Sequence, residues 1–257
     1  MTYAPLTLKI GGVAGRHAGA MAVLAQRAEP GWVVVHGGGD EVATWSRRLG
    51  LEPRAVDGLR VTDPATLDVA IAVLRGLVNA RLVAAFTAAG VSAIGLGGAD
   101  GDLLRAERFD PRLGAVGRIR RVNGALLAGL ADAGYVPLVA PIARGDGDEL
   151  LNVNADEAAG AIAAERGGRL LLLTDVAGVQ RGGDLLAALD ADEAERMVSD
   201  GTAHGGMIPK LRAAVAAARR GCVVQIVDGR DPTAVRAALD GTTTGTTVSA
   251  APAARIG

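Results

Sequence analysis

Lysine is the rarer basic residue of this chain, and its two occurrences are the first candidates for chemistry. Of 27 Lys and Arg residues, only Lys9 and Lys210 are lysine. Abundant alanine and glycine indicate a codon bias that favours arginine wherever arginine will serve. Lysine offers a compact ammonium and arginine a wide planar fork, so the two do not replace each other in a tight phosphate site. From composition alone, the survival of two lysines by chance is as good an explanation as a function for them.

The surroundings of both lysines favour a phosphate site. Lys9 precedes Gly11-Gly12, Lys210 follows Gly205-Gly206, and a third glycine run occupies 37–39. Glycine turns that open helices bind anions through bare N–H groups and the helix dipole. A glycine pair is more often a simple strand-to-helix turn, but three successive glycines cost more backbone entropy than such a turn needs. Neither a P-loop nor a G-x-G-x-x-G pattern is present, so turns of this kind would have to hold the phosphate.

The elements that position these residues alternate along the chain. Apolar runs predict strands at 6–10, 32–35, 91–96, 136–141, 170–173 and 222–227, and periodic stretches predict helices at 16–28, 40–49, 64–89, 124–133, 192–199 and 208–220. This alternation predicts a mostly parallel sheet with helices on both faces, plus a hairpin within 97–121. Ligands of such sheets bind beyond the carboxyl ends of the strands, where the glycine and polar clusters fall.

Three further polar positions are candidates for binding. Arg60 precedes a capped helix, where its fork would suit a substrate carboxylate, although a surface arginine is the simpler interpretation. Asn152, Asn154 and Asp156 are expected to open a helix. Capping explains one of the three, while Asp156 could separate two mutually repelling ammonium groups. Residues 175–179 follow the most apolar strand and suit a nucleotide-binding loop.

Composition excludes several classes of protein. A net charge of -1 without a basic run, and 2% aromatic residues, argue against a nucleic-acid partner. The single Cys222 permits no intramolecular disulfide, which favours the cytoplasm. We expect no membrane span and no targeting signal. The 257 residues predict one domain with a soft division near Gly167-Gly168.

Six motifs together resemble the amino acid kinase family and cover essentially the whole chain in order. They are Lys9-Ile10-Gly11-Gly12, His36-Gly37-Gly38-Gly39, Gly58-Leu59-Arg60-Val61-Thr62, Asn152-Val153-Asn154-Ala155-Asp156, Leu173-Thr174-Asp175-Val176 and Gly205-Gly206-Met207-Ile208-Pro209-Lys210.

The resemblance implies a fold and a reaction. The fold is α/β, a three-layer αβα sandwich around an open, mainly parallel, eight-stranded sheet. Residues 1–167 would form a lobe for substrate and dimerisation, and residues 168–257 a lobe for ATP. Within the family, the branch that phosphorylates the γ-carboxylate of N-acetyl-L-glutamate, the second step of arginine biosynthesis, matches most closely. A carboxylate nucleophile is already ionised at pH 7, so no catalytic histidine or cysteine is expected.

The resemblance also implies roles for individual residues. Lys9 and Lys210 would stabilise the transferring phosphoryl group, and Asp156 would organise both lysines. Mg²⁺ would arrive with ATP and needs no protein cage. The expected phosphate donors are Gly11, Gly12 and Gly38; the expected substrate contacts are Gly38, Gly39, Arg60, Asn152 and Asn154; the expected nucleotide contacts are Asp175, Val176, Ala177, Gly178, Val179, Gln180, Thr202, Ala203, His204 and Met207.

Departures from the family pattern leave alternatives open. Ala177 replaces a frequent proline, residues 13–17 are unusual, and the extended N-terminal helix of arginine-inhibited hexamers is absent, so we expect a homodimer without strong arginine feedback. A sister kinase for α-aminoadipate or glutamate on a carrier protein would keep the same lysines and glycines. More distant alternatives are another kinase of the fold and a non-catalytic effector-binding protein.

Overall fold

A computed structural model describes residues 4–12, 15, 17–56 and 59–250. Gly58 of the third motif and residues 13, 14 and 16 lie outside this part. The helices found within it are α1 (Ala18–Arg27), α2 (Gly39–Arg48), α3 (Pro64–Ile71), α4 (Asn79–Ala88), α5 (Gly124–Asp132), α6 (Ala155–Arg166), α7 (Ala191–Ser199), α8 (Met207–Ala218) and α9 (Pro232–Leu239).

The strands are short and fall into one large sheet and several small ones. In chain order they are β1 (Leu6–Ile10), β2 (Trp32–His36), β3 (Ala55–Val56), β4 (Leu59–Arg60), β5 (Ala93–Gly97), β6 (Leu104–Arg108), β7 (Val116–Val122), β8 (Val136–Ala140), β9 (Ile142–Arg144), β10 (Leu150–Val153), β11 (Arg169–Thr174), β12 (Gln180–Arg181), β13 (Asp184–Leu185), β14 (Ala188–Asp190), β15 (Val223–Asp228) and β16 (Thr246–Ser249).

Eight strands form the central sheet in the order β14-β16-β15-β11-β1-β2-β8-β5. Every pair in it is parallel except β15 with β16. The open, mainly parallel eight-stranded sheet is therefore confirmed. Because β1 lies between β2 and β11, the ends of the three strands that carry the glycine and Thr-Asp motifs are neighbours.

Alternating side chains of the central strands enter two cores, one on each face of the sheet. Leu8 and Ile10 of β1 pack with α1, α4 and α9, whereas Val33 and Val35 of β2 pack with α5, α6 and α8. Lys9, which alternates with Leu8 and Ile10, consequently faces the α6 side. The two helical layers around the sheet give the expected αβα sandwich.

A second, four-stranded sheet closes on itself in the order β10-β7-β6-β9. Its antiparallel pair β6–β7 is the hairpin expected within 97–121. β9 and β10 were not expected, because strands of three and four residues in a polar segment give no periodic signal. This sheet carries Asn152 in β10, whereas the sequence predicted that Asn152 opens a helix; α6 begins only at Ala155.

Residues 64–88 form one continuous helix whose middle turn is wider than the rest. α3 starts from an Asp63 cap, passes through a π-helical segment (Ala72–Val78) and continues as α4. By length and composition alone this helix could cross a membrane, but a third of its most apolar stretch is buried inside the protein. Phe86 and Leu82 of this helix pack into the core beside β5 and β8.

Candidate active site

Lys9 occupies the fourth position of β1, near the carboxyl edge of the sheet. Its Cα lies between Leu172 of β11 and Val35 of β2 in the parallel register. The side chain is buried, and its Nζ lies 2.9 Å from Oδ1 of Asp156. A lysine in the middle of a sheet needs such a partner, because an isolated buried ammonium loses its hydration without compensation.

Asp156 lies in the first turn of α6 and contacts both lysines. Its Oδ2 is 3.4 Å from the Nζ of Lys210 while its Oδ1 holds Lys9. A carboxylate at a helix N-terminus is also favoured by the helix dipole. Asn154 caps the same helix, since its Oδ1 accepts the N–H groups of Asp156 and Glu157. The expected carboxylate between two ammonium groups is thus present in the geometry.

Lys210 lies in the first turn of α8, where the helix dipole disfavours a cation. Its ammonium is offset by Asp156 and by the carbonyl of Gly206, which accepts a hydrogen bond at 3.2 Å. Two lysines side by side, with one carboxylate between them, suit the binding of a further anionic group.

Burial dominates the ionisation of Lys9. The loss of hydration lowers the pKa of Lys9 below 10.5, Asp156 raises it, and the neighbouring Lys210 lowers it again. The ammonium form therefore depends on the carboxylate beside it. An anion added between the two lysines would favour the charged form further.

Three cavities meet at this centre. One of about 220 Å³ is lined by residues between Lys9 and Asp156 in sequence, and another of about 350 Å³ by residues between Thr174 and Lys210. A third of about 200 Å³ joins them, since its lining includes Lys9 and Lys210 together with Asp175. We call them the N-side, C-side and bridging cavities. The arrangement accommodates two ligands whose reacting ends meet at the two lysines.

The N-side cavity contains every expected substrate contact. Gly38, Gly39, Arg60, Asn152 and Asn154 all line it. Arg60 donates from Nη2 to the carbonyl of Gly39 at 2.7 Å, which fixes the guanidinium at one end of the cavity. Burial lowers the pKa of Arg60, nearby Arg47 adds to this effect and Asp40 opposes it, so an incoming carboxylate would stabilise the charged guanidinium further.

Asn152 faces the same cavity from β10. Its Nδ2 lies 3.3 Å from the hydroxyl of Thr62, which itself donates to the carbonyl of Arg60. Asn152 and Arg60 are therefore coupled through Thr62, although 90 residues separate Asn152 from Thr62. Thr62 thus links two residues that both line the N-side cavity.

The glycine turn after β1 lies at the edge of the sheet, beside the bridging cavity. Gly11 donates its N–H to the carbonyl of Leu173 at 3.2 Å, so this amide already closes the sheet edge. Gly11 and Gly12 both line the bridging cavity. A Cβ at Gly11 would lie 3.1 Å from the Leu173 carbonyl oxygen, so the glycine permits close approach of β1 and β11. The expected role of both glycines as phosphate donors stays a prediction.

The C-side cavity contains nearly all of the expected nucleotide contacts. Those that line it are Asp175, Val176, Gly178, Val179, Gln180, Thr202, Ala203, His204 and Met207, and Ala177 is not among its lining residues. The cavity lies between the loop after β11 and the turn that opens α8, and both are largely exposed. An elongated ligand could enter from solvent with one end at Lys210.

Two residues of the bridging cavity and one residue behind the N-side cavity were not predicted from the sequence. Asp40 and Thr174 line the bridging cavity; Thr174 stands in a recognised motif and Asp40 directly follows the glycine run, so adjacency was the available signal. Asn79 is buried behind the glycine run. It lies in an apolar helical stretch that gave no signal. Among the described residues, no three His, Cys, Asp or Glu side chains are grouped to hold a metal.

A doubly wound sheet that brings two lysines and one carboxylate together at its carboxyl edge suits phosphoryl transfer. The profile of the amino acid kinase family matches residues 8–228. This chain belongs to that family, and ATP is its expected phosphoryl donor.

Individual proteins are similar to this chain over most of its length. The chain is 50% identical to the acetylglutamate kinase of Methanopyrus kandleri over 202 residues. This alignment covers 74% of this chain and 82% of the relative. It is 45% identical over 241 residues to the acetylglutamate kinase of Cereibacter sphaeroides, covering 90% and 82%. The crystal structure of smu.665 from Streptococcus mutans superposes with a TM-score of 0.81 at 25% identity, covering 96% of this chain and 98% of that one.

Proposed function

We propose that this chain transfers the terminal phosphoryl group of ATP to the γ-carboxylate of N-acetyl-L-glutamate, the reaction of an acetylglutamate kinase in arginine biosynthesis. Curated acetylglutamate kinases at 42 to 50% identity support this assignment. The observation that carries it is Asp156 bridging Lys9 and Lys210 where the N-side and C-side cavities meet.

The chemistry follows from charge. A γ-carboxylate oxygen forms a bond to the terminal phosphorus of ATP, the bond from that phosphorus to the bridging oxygen breaks, and ADP leaves with the electron pair. No proton moves, because the nucleophile is already ionised. Negative charge spreads over the equatorial oxygens in the transition state, and preorganised cations and N–H groups stabilise it. Lys9, Lys210 and the glycine turns supply these groups.

Asp156 is proposed to act through the lysines. It holds two like charges close together before substrate arrives, and it faces the ammonium groups from the side of α6. When the phosphoryl group enters, both lysines gain a second anionic partner without having to move. Preorganisation of this kind avoids a reorganisation cost during the reaction.

The proposed substrate pose places opposite ends of acetylglutamate at opposite ends of the N-side cavity. Arg60 receives the α-carboxylate, Asn152 and Asn154 contact the acylamino group, and the γ-carboxylate approaches Lys9 beside Gly38 and Gly39. The residues of this cavity all precede residue 157, which supports substrate binding by the lobe 1–167 and nucleotide binding by the lobe 168–257.

MgATP is proposed to lie in the C-side cavity with its phosphates in the bridging cavity. The metal would enter as part of the nucleotide complex. Asp175 and Thr174 offer oxygen ligands there, which suit a magnesium ion bound mainly by phosphates and water.

A homodimer in the cytoplasm is also proposed. The exposed side of the helix 64–88 carries small residues at four-residue spacing, namely Ala72, Gly76, Ala80 and Ala84. Such a face lets a second helix approach closely, and it would cover the apolar surface that the core leaves open. Sedimentation of Gly76→Arg beside the unaltered chain tests this, since a charged side chain in a paired face should yield monomers. A Gly76→Arg variant that sediments with the same mass as an unaltered dimer would contradict this interface.

A coupled assay of ADP release tests the proposed activity. With MgATP and N-acetyl-L-glutamate we expect turnover, and with L-glutamate or L-aspartate at equal concentration we expect little. Turnover only with a substrate linked to an amino-group carrier protein would assign the sister kinase activity. Absence of turnover with all of these acceptors, while ATP still binds, would favour a non-catalytic effector-binding protein.

A further inference from the structure

Two buried, hydrogen-bonded side chains behind the triple-glycine turn have no part in the function described so far. His36 ends β2, directly before Gly37, and is almost fully buried. Its Nδ1 lies 2.9 Å from the carbonyl oxygen of Gly37, and its Nε2 lies 3.0 Å from Nδ2 of Asn79. An amide Nδ2 is a donor only, so Nε2 accepts and Nδ1–H donates to Gly37.

Asn79 is held in place by two elements besides His36. Its Nδ2 also donates to the carbonyl of Leu138 in β8 at 2.8 Å, and its Oδ1 lies 3.4 Å from Nη1 of Arg75. A Cβ on Gly95 of β5 would overlap this Oδ1. The sheet thus leaves space at Gly95 for the carboxamide of Asn79, and a side chain so enclosed has one orientation.

The same helical segment also packs directly on the glycine turn. Gly38 has φ of 153°, and a Cβ there would lie 2.7 Å from Cδ2 of Leu74 and 3.3 Å from Cγ2 of Val78. Leu74 and Val78 belong to the π-helical segment, and Asn79 follows it. π-helical turns often mark functional sites. Here the wide turn places Leu74 against Gly38 and places Asn79 against His36, which directly precedes the glycine run.

The direction of one N–H group follows from these contacts. The peptide bond between Gly37 and Gly38 is planar and trans, so its C=O and N–H point in opposite directions. His36 holds the Gly37 C=O, and the N–H of Gly37 donates to Ile10 at 2.9 Å. The N–H of Gly38 is therefore turned away from His36, and Gly37 to Gly39 form part of the N-side cavity wall.

We propose that Asn79 and His36 are positioning residues that hold the Gly38 N–H toward the γ-carboxylate and the transferred phosphoryl group. This inference rests on the proposed kinase function and adds two residues to it. In the unaltered chain these contacts need an imidazole that donates from Nδ1 and accepts at Nε2, which is the neutral form. Burial lowers the pKa of His36 to about 4, with the adjacent Gly37 carbonyl opposing and Arg75 reinforcing this shift. Arg75 is itself paired with Asp100, 3.0 Å away.

Asn79→Asp and Asn79→Ala, with Leu82→Ala as the matched control, test the proposal. Leu82 is buried in the same helix, belongs to the hydrophobic cluster that contains Phe86, and does not line the N-side cavity. All four chains are assayed with MgATP and N-acetyl-L-glutamate between pH 6 and 9, and their thermal unfolding is recorded. We expect Asn79→Ala to lower kcat by about tenfold or more, since losing a well-placed transition-state donor costs about a hundredfold. Its KM for ATP should stay within about twofold, and Leu82→Ala should keep kcat within the same range.

Asn79→Asp keeps the shape of the side chain, loses the hydrogen bond to the Leu138 carbonyl, and changes the proton on His36. A carboxylate accepts from Nε2–H, so the imidazolium still donates to Gly37 at low pH. When the imidazolium loses a proton the Nε2–H tautomer remains, and Nδ1 then repels the Gly37 carbonyl. The kcat of Asn79→Asp should fall by about tenfold as pH rises across this transition, whereas the unaltered chain shows no such fall there.

Two results would overturn the proposal. One is an Asn79→Asp profile parallel to that of the unaltered chain. The other is equal kcat losses in Asn79→Ala and Leu82→Ala. A lack of turnover in the unaltered chain would instead reject the kinase assignment, so the two failures are distinguishable.

Discussion

The two sides of the proposed reaction centre are built differently. Around the N-side cavity, Gly38 is enclosed by Leu74 and Val78, and the turn is fixed from behind by His36. Around the C-side cavity, Val176 is 38% exposed. A Cβ added at Gly206 would meet nothing within 4 Å. The substrate side is therefore a packed wall at Gly38, whereas the nucleotide side lies between two loops that are largely exposed, although Gly178 within them packs against Thr246.

This contrast suggests that the two ligands are recognised in different ways. A small dicarboxylate must be aligned by groups that are fixed before it binds, because misplacement by about an ångström can cost a hundredfold in rate. A nucleotide offers a large surface and a triphosphate, so exposed loops can bind it with less exact positioning. Substitutions should accordingly affect rate and stability on one side, and nucleotide affinity on the other.

Asp156→Asn should give the largest effect, because the residue joins both sides. Breaking a buried ion pair costs about 3–5 kcal/mol of stability. We expect kcat to fall by about a hundredfold or more. Asp156 raises the pKa of Lys9, so its loss should lower the pH at which activity declines on the alkaline side. Chemical unfolding and a pH–rate profile measure both effects; an unchanged alkaline limb would mean that Lys9 does not depend on this carboxylate.

Gly38→Ala should be the next most damaging change. The added methyl meets Leu74 at 2.7 Å, and overpacking of this kind costs about 1–3 kcal/mol. We expect kcat to fall by about tenfold because the peptide must rotate away from the cavity. Urea unfolding and steady-state kinetics would record this. Normal stability together with normal kcat would contradict the packed wall.

Acid should weaken the substrate side through His36. Its pKa is about 4 in the folded protein against 6.5 in the unfolded chain, so the unfolded state binds more protons between these values and stability falls as pH drops from 6.5 toward 4. The shift corresponds to roughly 3 kcal/mol. Unfolding of the unaltered chain and of His36→Gln at pH 7 and 4.5 measures it. An equal acid loss in both chains would exclude His36 as its source.

Val176→Ala should have the smallest effect. An exposed side chain contributes less than about 0.5 kcal/mol to stability, so unfolding should be unchanged. Loss of an apolar contact with the nucleotide should raise the KM for ATP by a few fold, at roughly 0.8 kcal/mol per methylene. The KM for acetylglutamate should stay constant. A stability loss as large as that of Gly38→Ala would erase the distinction between the two sides.

The sequence predicted the central sheet well because its strands are continuous apolar runs between glycine turns. It also predicted that Lys9, Asp156 and Lys210 would meet, since each stands in a motif at a strand end or helix start. It failed where pairing decides structure: β9 and β10 depend on the β6–β7 hairpin, and Asn152 lies in β10 although asparagine before a helix suggests a cap. β16 was likewise not predicted, and it joins the central sheet by pairing with β15 and β14.

Asn79 and Gly11 show the same limit within the site. A single asparagine in an apolar helix has no periodic or motif signal, and its importance depends on His36, Leu138 and Gly95, which lie far away in sequence. The Gly11 amide was expected to face a phosphate, but it bonds to Leu173 of a neighbouring strand. Both facts require knowledge of which strands are adjacent.

Turnover of Lys9→Arg and Lys210→Arg tests the central claim most directly. Arginine keeps the positive charge but cannot place a compact ammonium beside Asp156. In each variant, with ATP binding and unfolding measured in parallel, we expect kcat to fall by about a hundredfold or more, with ATP affinity changing by less than about tenfold. Rates close to those of the unaltered chain in both variants would contradict the claim that these two ammonium groups act on the transferred phosphoryl group.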